Sequence, residues 1–319
     1  MTGLLAEVGQ KLADRWAALL AVPGLLYLAA VTVAAVLGQG HALSYHALDR
    51  KITAWAADPV LKSAGAAVLI AAVILAGSVV AGLVAAAGGG FIENLWTLPG
   101  RHIPASWLVR WRRDRSRRYK AVADTSASAA EARRAIARAD RICLIEAGRP
   151  TWIGDRLRAC HVRIEQTYGL DLNAAWPRLW LIVPDTVRTE LGAARDAFTA
   201  AARLLAWAVL YLVLVIWWWP AIPIALITAT TAVRKARLAT GNLADLIESA
   251  VDLYNRNLAT QLGEEAPSGS LTTAMGGRLS AQMRKDRWDP NSPLADLAKS
   301  LPLGFSGGYR PGYGSRTGG

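Results

Sequence analysis

The residues in this 319-residue chain best able to hold a metal or attack a substrate are four histidines and two cysteines: His41, His46, His102, His161, Cys143 and Cys160. His41 and His46 share a short loop, yet no cysteine or carboxylate cluster stands beside them at ligand spacing, so they make a poor metal site. The two cysteines fall in a segment that the charge pattern assigns to the cytosol, where they read as reduced helix-core residues. No Gly-rich phosphate loop follows a strand pattern, and no nucleophile elbow sits between a strand and a helix. The expectation is a protein without catalysis, metal or cofactor.

A stronger chemical signal is cationic. Seven of the eleven residues from Arg110 to Lys120 are basic, within WLVRWRRDRSRRYK. Trp107, Arg110, Trp111, Arg112 and Arg113 combine aromatic and cationic groups, as a chain does when it lies along an anionic inner leaflet. Basic patches with aromatics also bind nucleic acid. A segment tethered about 20 residues from a membrane span meets lipid headgroups first, so nucleic acid is the disfavoured partner.

Apolar blocks must position that segment. Thirty residues without formal charge separate Lys62 from Glu93, another thirty separate Arg203 from Arg234, and 33 separate Arg15 from Asp49. About 20 apolar residues cross a hydrocarbon core, so each block can span. The first span is placed at 17–37 and the second at 64–87, making residues 1–90 an N-terminal transmembrane hairpin. Gly77, Ala81 and Ala85 recur every four positions in the second span, which lets two backbones approach closely. A cleaved signal peptide is the rival reading of the first span, but residues 1–16 carry no net charge where a signal peptide wants a positive start.

In the third block, Pro220 and Pro223 follow a Trp217-Trp218-Trp219 belt. A tight turn there makes residues 201–240 a second hairpin, with arms 201–219 and 221–239 and with Arg203, Arg234 and Lys235 snorkelling to the headgroups. The alternative is one long tilted helix, which would exceed the hydrocarbon thickness by about half. Residues 91–200 hold 19 basic against 12 acidic residues, and residues 234–319 hold 11 against 8. Positive charge stays inside, so the middle region and both termini are placed in the cytosol of a multi-pass inner (plasma) membrane protein. The spans offer no ionisable groups of the kind that transporters carry there.

Within the cytosolic module, 91–200, Ser126 or Thr125 can start a helix that Gly148 and Pro150 stop. Ile153, Leu157, Cys160, Ile164 and Tyr168 then make one apolar helical stripe, capped at Thr151 and ended by a left-handed Gly169. Asp171 starts a shorter helix, kinked or restarted at Pro177 and bearing Trp176, Arg178 and Trp180. Asp185 then caps a long helix leading into the third block. Trp152, Tyr168, Gly169, Trp176, Arg178 and Trp180 form the candidate docking or structural module. Trp176 and Trp180 lie on one face, where they either fill a core or offer an aromatic anchor ringed by Arg178 and Arg188 to an acidic partner.

Residues 241–263 form an amphipathic helix through Leu243, Leu246, Ile247, Ala250, Val251, Tyr254, Leu258 and Leu262. It packs either on the helix at 185–200 or on a second copy of the chain. From 264 to 319 the sequence turns to Gly, Ser and Pro and is expected to be a disordered tail.

The pattern P-T-x-x-G-x-x-L-R-A, Y-G-L-D, W-P-R-L and a further proline is carried by Pro150, Thr151, Gly154, Leu157 to Ala159, Tyr168 to Asp171, Trp176 to Leu179 and Pro184. It resembles the soluble segment of an uncharacterised family of multi-span bacterial membrane proteins, frequent in actinobacteria, over residues 90 to 262. That resemblance implies architecture and no activity. Trp152 and Asp155 depart from it, standing where basic and amide residues are usual.

The sequence therefore reads as all-α: two transmembrane hairpins, about four spans, a helical cytosolic module between them and a disordered tail. The expected function is a membrane-anchored scaffold or regulatory component. Its partners are the lipid bilayer with its anionic inner-leaflet lipids, an unidentified protein, and in one reading a second copy. The alternative is a pore-forming or membrane-perturbing component assembling through its spans.

Overall fold

A computed structural model describes residues 21–57, 63–99, 105–126, 128–143, 145–264 and 271–285. The start of the first span, residues 1–16, His102 and the tail from 286 to 319 lie outside the described residues. All ten elements are helices: α1 (Val22–Leu37), α2 (Tyr45–Ala57), α3 (Ala64–Trp96), α4 (Ala105–Thr125), α5 (Ala129–Ile142), α6 (Trp152–Tyr168), α7 (Leu172–Ile182), α8 (Asp185–Leu214), α9 (Ala221–Gln261) and α10 (Thr273–Arg284). No strand occurs among the described residues, in keeping with the expected all-α class.

The chain divides into two compact units, Met1–Cys160 with Pro184–Ala250 and His161–Val183 with Val251–Gly319. The first is built on α1, α3, α8 and the first half of α9. Small residues let these helices meet at backbone distance. A Cβ on Gly24 would lie 2.1 Å from the Ser78 carbonyl oxygen, and one on Gly77 would lie 3.1 Å from Leu28. Ala85 is fully buried, so the small-residue stripe of α3 serves packing inside this chain. Farther along, Gly88 faces Ala206 and Gly89 faces the Arg203 backbone, while Trp96 meets Phe198 with ring centroids 5.6 Å apart. Glu93 and Arg195 close the antiparallel register with a 2.5 Å ion pair.

The third apolar block folds as two helices around a turn, not as one long helix. Successive short-range bonds, from Ile216 N–H to Val213 and from Ile222 N–H to Trp219, reverse the chain at 215–220. Residue 220 is proline, which donates no bond to prolong α8. At this end of the bundle Gln39 donates to the Val215 and Ile216 carbonyls and accepts from Trp219 N–H, and Trp218 Nε1 donates to the Ala42 carbonyl. The loop after α1 and the α8–α9 turn thus share one end. Two helices, Gly65–Trp96 and Asp185–Leu214, are long and apolar enough to cross a membrane, and α1 is a shorter apolar helix. The first of these runs nine residues past the expected end at 87.

Several boundaries differ locally from the sequence reading. The helix expected from 125 or 126 starts after Ser128, whose hydroxyl accepts from Ala130 N–H, because α4 itself extends to Thr125. α7 runs through Pro177 without a restart. Asp185 is the first residue of α8, which Pro184 precedes without a side-chain cap; the carboxylate instead pairs with Arg188 at 3.3 Å.

In the second unit, part of the expected disordered tail is a packed helix. α10 buries Met275, Leu279 and Met283, a stripe at helical spacing inside Ser/Gly-rich sequence. Its docking depends on two glycines. Gly169 ends α6 in the left-handed region (φ +65°), as the sequence predicts, and a Cβ there would fall 2.1 Å from the Thr273 carbonyl oxygen. Gly276 approaches the Tyr168 carbonyl still more closely. Ser280 accepts from Asp171 N–H at 2.8 Å and bonds the Gly276 carbonyl at 2.7 Å. Gly169→Ala should therefore destabilise this unit by about 2 kcal/mol or more, since steric collision adds to the backbone cost. Thermal melting of detergent-solubilised protein checks this, and an unchanged melt would refute the contact.

Candidate functional site

The polar layer of the first unit is organised by a buried ion pair. Asp155 enters the first turn of α6, where the helix N-terminus favours a carboxylate. It is 2% exposed and holds Arg112 Nη1 of α4 at 2.6 Å, while its other oxygen accepts from Gly148 and Arg149 N–H at 2.9 and 2.8 Å. Arg112, 7% exposed, also donates to the Arg149 carbonyl and to the last carbonyl of α5, that of Ile142. One guanidinium thus joins α4, the end of α5, the 148–149 turn and α6.

The same layer seats on the end of α3. Thr151 donates to the Trp96 carbonyl at 2.6 Å and accepts from Gly154 N–H at 3.0 Å, and Arg149 donates to the Thr97 carbonyl. Gly154 is required here, because a Cβ would sit 2.6 Å from the Trp96 carbonyl oxygen. The P-T-x-x-G spacing therefore places one capping hydroxyl and one bare α-carbon against the exposed carbonyls of a helix C-terminus. On the other side Arg156, also buried, pairs with Asp245 and with Glu248 (3.3 Å) on α9, and the Cys160 thiol faces the Ala244 carbonyl at 3.7 Å. These polar partners of the 241–250 stretch belong to α6, not to the helix at 185–200.

The expected membrane-contact group splits. Trp107 is 67% exposed, Arg110 is exposed, and Trp111 lies outward with the Arg115 guanidinium 5.3 Å from its ring centre. Arg112 is turned inward onto Asp155 and is 7% exposed. Arg113 donates to the Ala147 carbonyl and pairs with Glu146 at 3.2 Å. Sequence alone could not separate these neighbours, because the periodicity of a seven-cation run marks no single inward position.

The docking group likewise divides. Trp152 packs against the bundle core and carries the Arg237 guanidinium 4.6 Å from its ring centre. In the second unit Tyr168 donates to Asp252 at 2.8 Å; burial first, and then the hydrogen bond and charge of Asp252, push its phenol pKa up. Trp176 and Trp180 pack together, half-buried, with ring centroids 6.0 Å apart. Arg178 is not a free rim charge for an acidic partner, since it bonds the Ala174 and Met283 carbonyls. The sequence reading does not single out as site residues Asp155 or Arg156, which the structure places at the centre of this layer. The one sequence signal for Asp155 was an acid in the first turn after a Gly-Arg-Pro stop.

No group of three or more His, Cys, Asp or Glu able to hold a metal occurs among the described residues. No family model matches the chain, and no curated protein and no solved structure is significantly similar to it.

Removing one partner of the buried pair leaves the other charge uncompensated. Asp155→Ala should cost about 3–5 kcal/mol, and Arg112→Met about the same. The double variant should cost clearly less than the two together. A denaturant-melting cycle in detergent measures this; strict additivity would refute the pair as the organising contact.

Proposed function

We propose that this chain is a non-catalytic membrane scaffold, embedded in a bacterial inner membrane through four spans, that presents its helical module in the cytosol. One observation carries the reading: the apolar window of α3 is only 17% buried. A core helix of a water-soluble protein hides such a surface, whereas here Val68, Leu69, Val73 and Leu75 are 61–70% exposed. Further exposed aliphatics follow on α1, α8 and α9, including Leu26, Leu212, Leu226 and Ile227. A lipid environment removes the cost of exposing them to water.

The topology has independent support in the shared end of the bundle. The 38–44 loop and the 215–220 turn meet there, while Thr151 and Arg149 meet the other end at Trp96 and Thr97. With the basic segment inside, both loops lie outside and both termini lie in the cytosol. At about 1.5 Å per residue the 33 residues of α3 reach roughly 50 Å, so its last turns project past a hydrocarbon core of about 30 Å. The Glu93–Arg195 pair falls in that projecting part. Scaffolding is favoured over a pore because the packed faces of the bundle are small and apolar. Ala85, Ala202, Ala206 and Ala236 are buried together in the core cluster, where they offer an ion no ligand.

Reporter fusions test the topology: a C-terminal reporter should be active only in the cytosol, and one inserted at Gly40 only outside. The reverse pattern would overturn it. Protein in liposomes should give no ion flux above that of empty vesicles; reproducible single-channel currents would replace the scaffold with a pore. A docking role for Trp176 and Trp180 predicts that replacing both by Ala loses a co-purifying protein with little change in melting. A melting temperature lowered by more than about 5 °C, with the same proteins recovered, would make the pair a packing element.

A further inference from the structure

Beside the buried pair lies a cavity of about 310 Å³, walled by α4, α5, the start of α6 and α9. Four guanidinium-bearing residues besides Arg112 line it, Arg115, Arg138, Arg141 and Arg237, between the rings of Trp111 and Trp152. None of its lining residues bears a carboxylate. Arg112 is neutralised by Asp155, whereas no ion pair joins Arg115, Arg138, Arg141 or Arg237 to any carboxylate among the described residues. Like charges gathered in one concavity repel, and no carboxylate among the described residues pairs with these four to relieve them.

The arrangement is also held in place. Arg237 stacks on Trp152, and its Nη2 donates to the Arg141 carbonyl at 2.8 Å, which fixes it to the wall carrying the Arg141 side chain. Arg115 stacks in the same way on Trp111. A guanidinium held over a ring face leaves edge N–H groups to donate, as Arg237 Nη2 does to the Arg141 carbonyl, and its remaining N–H groups can bond phosphate oxygens. The cavity exceeds what a bare orthophosphate fills, leaving room for the group esterified to it.

We propose that this cavity binds one phosphate ester anion, with Arg138, Arg141 and Arg237 as its ligands and Trp111 and Trp152 flanking the esterified group. The phosphate has two sources, an anionic lipid headgroup or a soluble phosphate ester. Arg237 lies one turn beyond Arg234 and Lys235, where the apolar arm of α9 ends and beside the core cluster that contains Trp96, Ala236 and Ala239. That position is headgroup height in the membrane-embedded reading, on which the lipid source rests. The cavity itself does not depend on that reading.

Native mass spectrometry of the full chain in neutral detergent tests the site, with equimolar phosphatidylglycerol and phosphatidylcholine offered as probes. Wild type should retain one phosphatidylglycerol per chain in preference. Retention should fall tenfold or more in the R138Q/R141Q variant, and should be unchanged in Arg134→Gln, which removes a cation from the same helix outside the cavity. Neither the Arg138 nor the Arg141 side chain makes an ion pair or a side-chain hydrogen bond within the described chain, so the fold should persist. Should the double variant melt early, Arg138→Gln alone should still lower retention about threefold. Sodium pyrophosphate separates the sources. If it leaves the lipid bound and the melt unshifted, the site takes a headgroup; if it displaces the lipid and raises the melting of wild type but not of the variant, the site takes a soluble phosphate. Equal lipid retention in wild type and folded R138Q/R141Q, with no pyrophosphate response in either, would overturn the proposal.

Discussion

The polar half of the first unit depends on keeping one carboxylate out of water. A buried Asp155 is tolerable because Arg112, Arg158 and two backbone N–H groups satisfy it together. Those partners come from α4, from the 148–149 turn and from α6 itself, so a single requirement for charge compensation fixes where three chain segments meet. The remaining donors of Arg112 then settle the end of α5. Burying ions is expensive, and the return here is definition of geometry more than stability.

That definition has a consequence for the surface. With Arg112 drawn inward, its helical neighbours Arg115 and Trp111 are left on the open side, opposite Arg138, Arg141 and Arg237. A basic run that looks uniform along the chain divides into groups in space: Arg112 is neutralised in the interior, Arg115 faces the cavity, and Arg113 and Arg117 are directed to Glu146. The electrostatic character of the module therefore depends on which cations find carboxylates, more than on net charge.

Where the helices meet, they do so through missing side chains. Gly24 against Ser78, Gly89 against Arg203, and Gly154 against Trp96 each bring backbone close to backbone. In the first unit this lets α3 sit between α1 and α8 while its outer face stays aliphatic. In the second, Gly169 and Gly276 bring the end of α6 against α10, with Ser280 bonding the groups that the close approach exposes. Such contacts tolerate no added methyl, which makes them rigid points in a molecule otherwise held by small alanines and aliphatics.

Much of the architecture was legible in the residues because it rests on local rules. Uncharged blocks, proline at the 215–220 turn, the left-handed Gly169 and the Asp171 cap each act within a few positions of the chain. Of the stripe Ile153, Leu157, Cys160, Ile164 and Tyr168, the first, third and fourth are buried and Leu157 and Tyr168 are half-buried. What the sequence could not decide was pairing between distant segments. Nothing local distinguishes Arg112 from Arg110 or Arg113, or marks Arg237 as a neighbour of Trp152, 85 positions away. Composition likewise pointed to a disordered tail, yet Met275, Leu279 and Met283 of α10 find a surface to bury against once the left-handed turn at Gly169 exists. Local propensity and periodicity determined the helices; charge compensation and backbone proximity, which are properties of segments brought together by folding, decided which cations became structure and which were left to face a ligand.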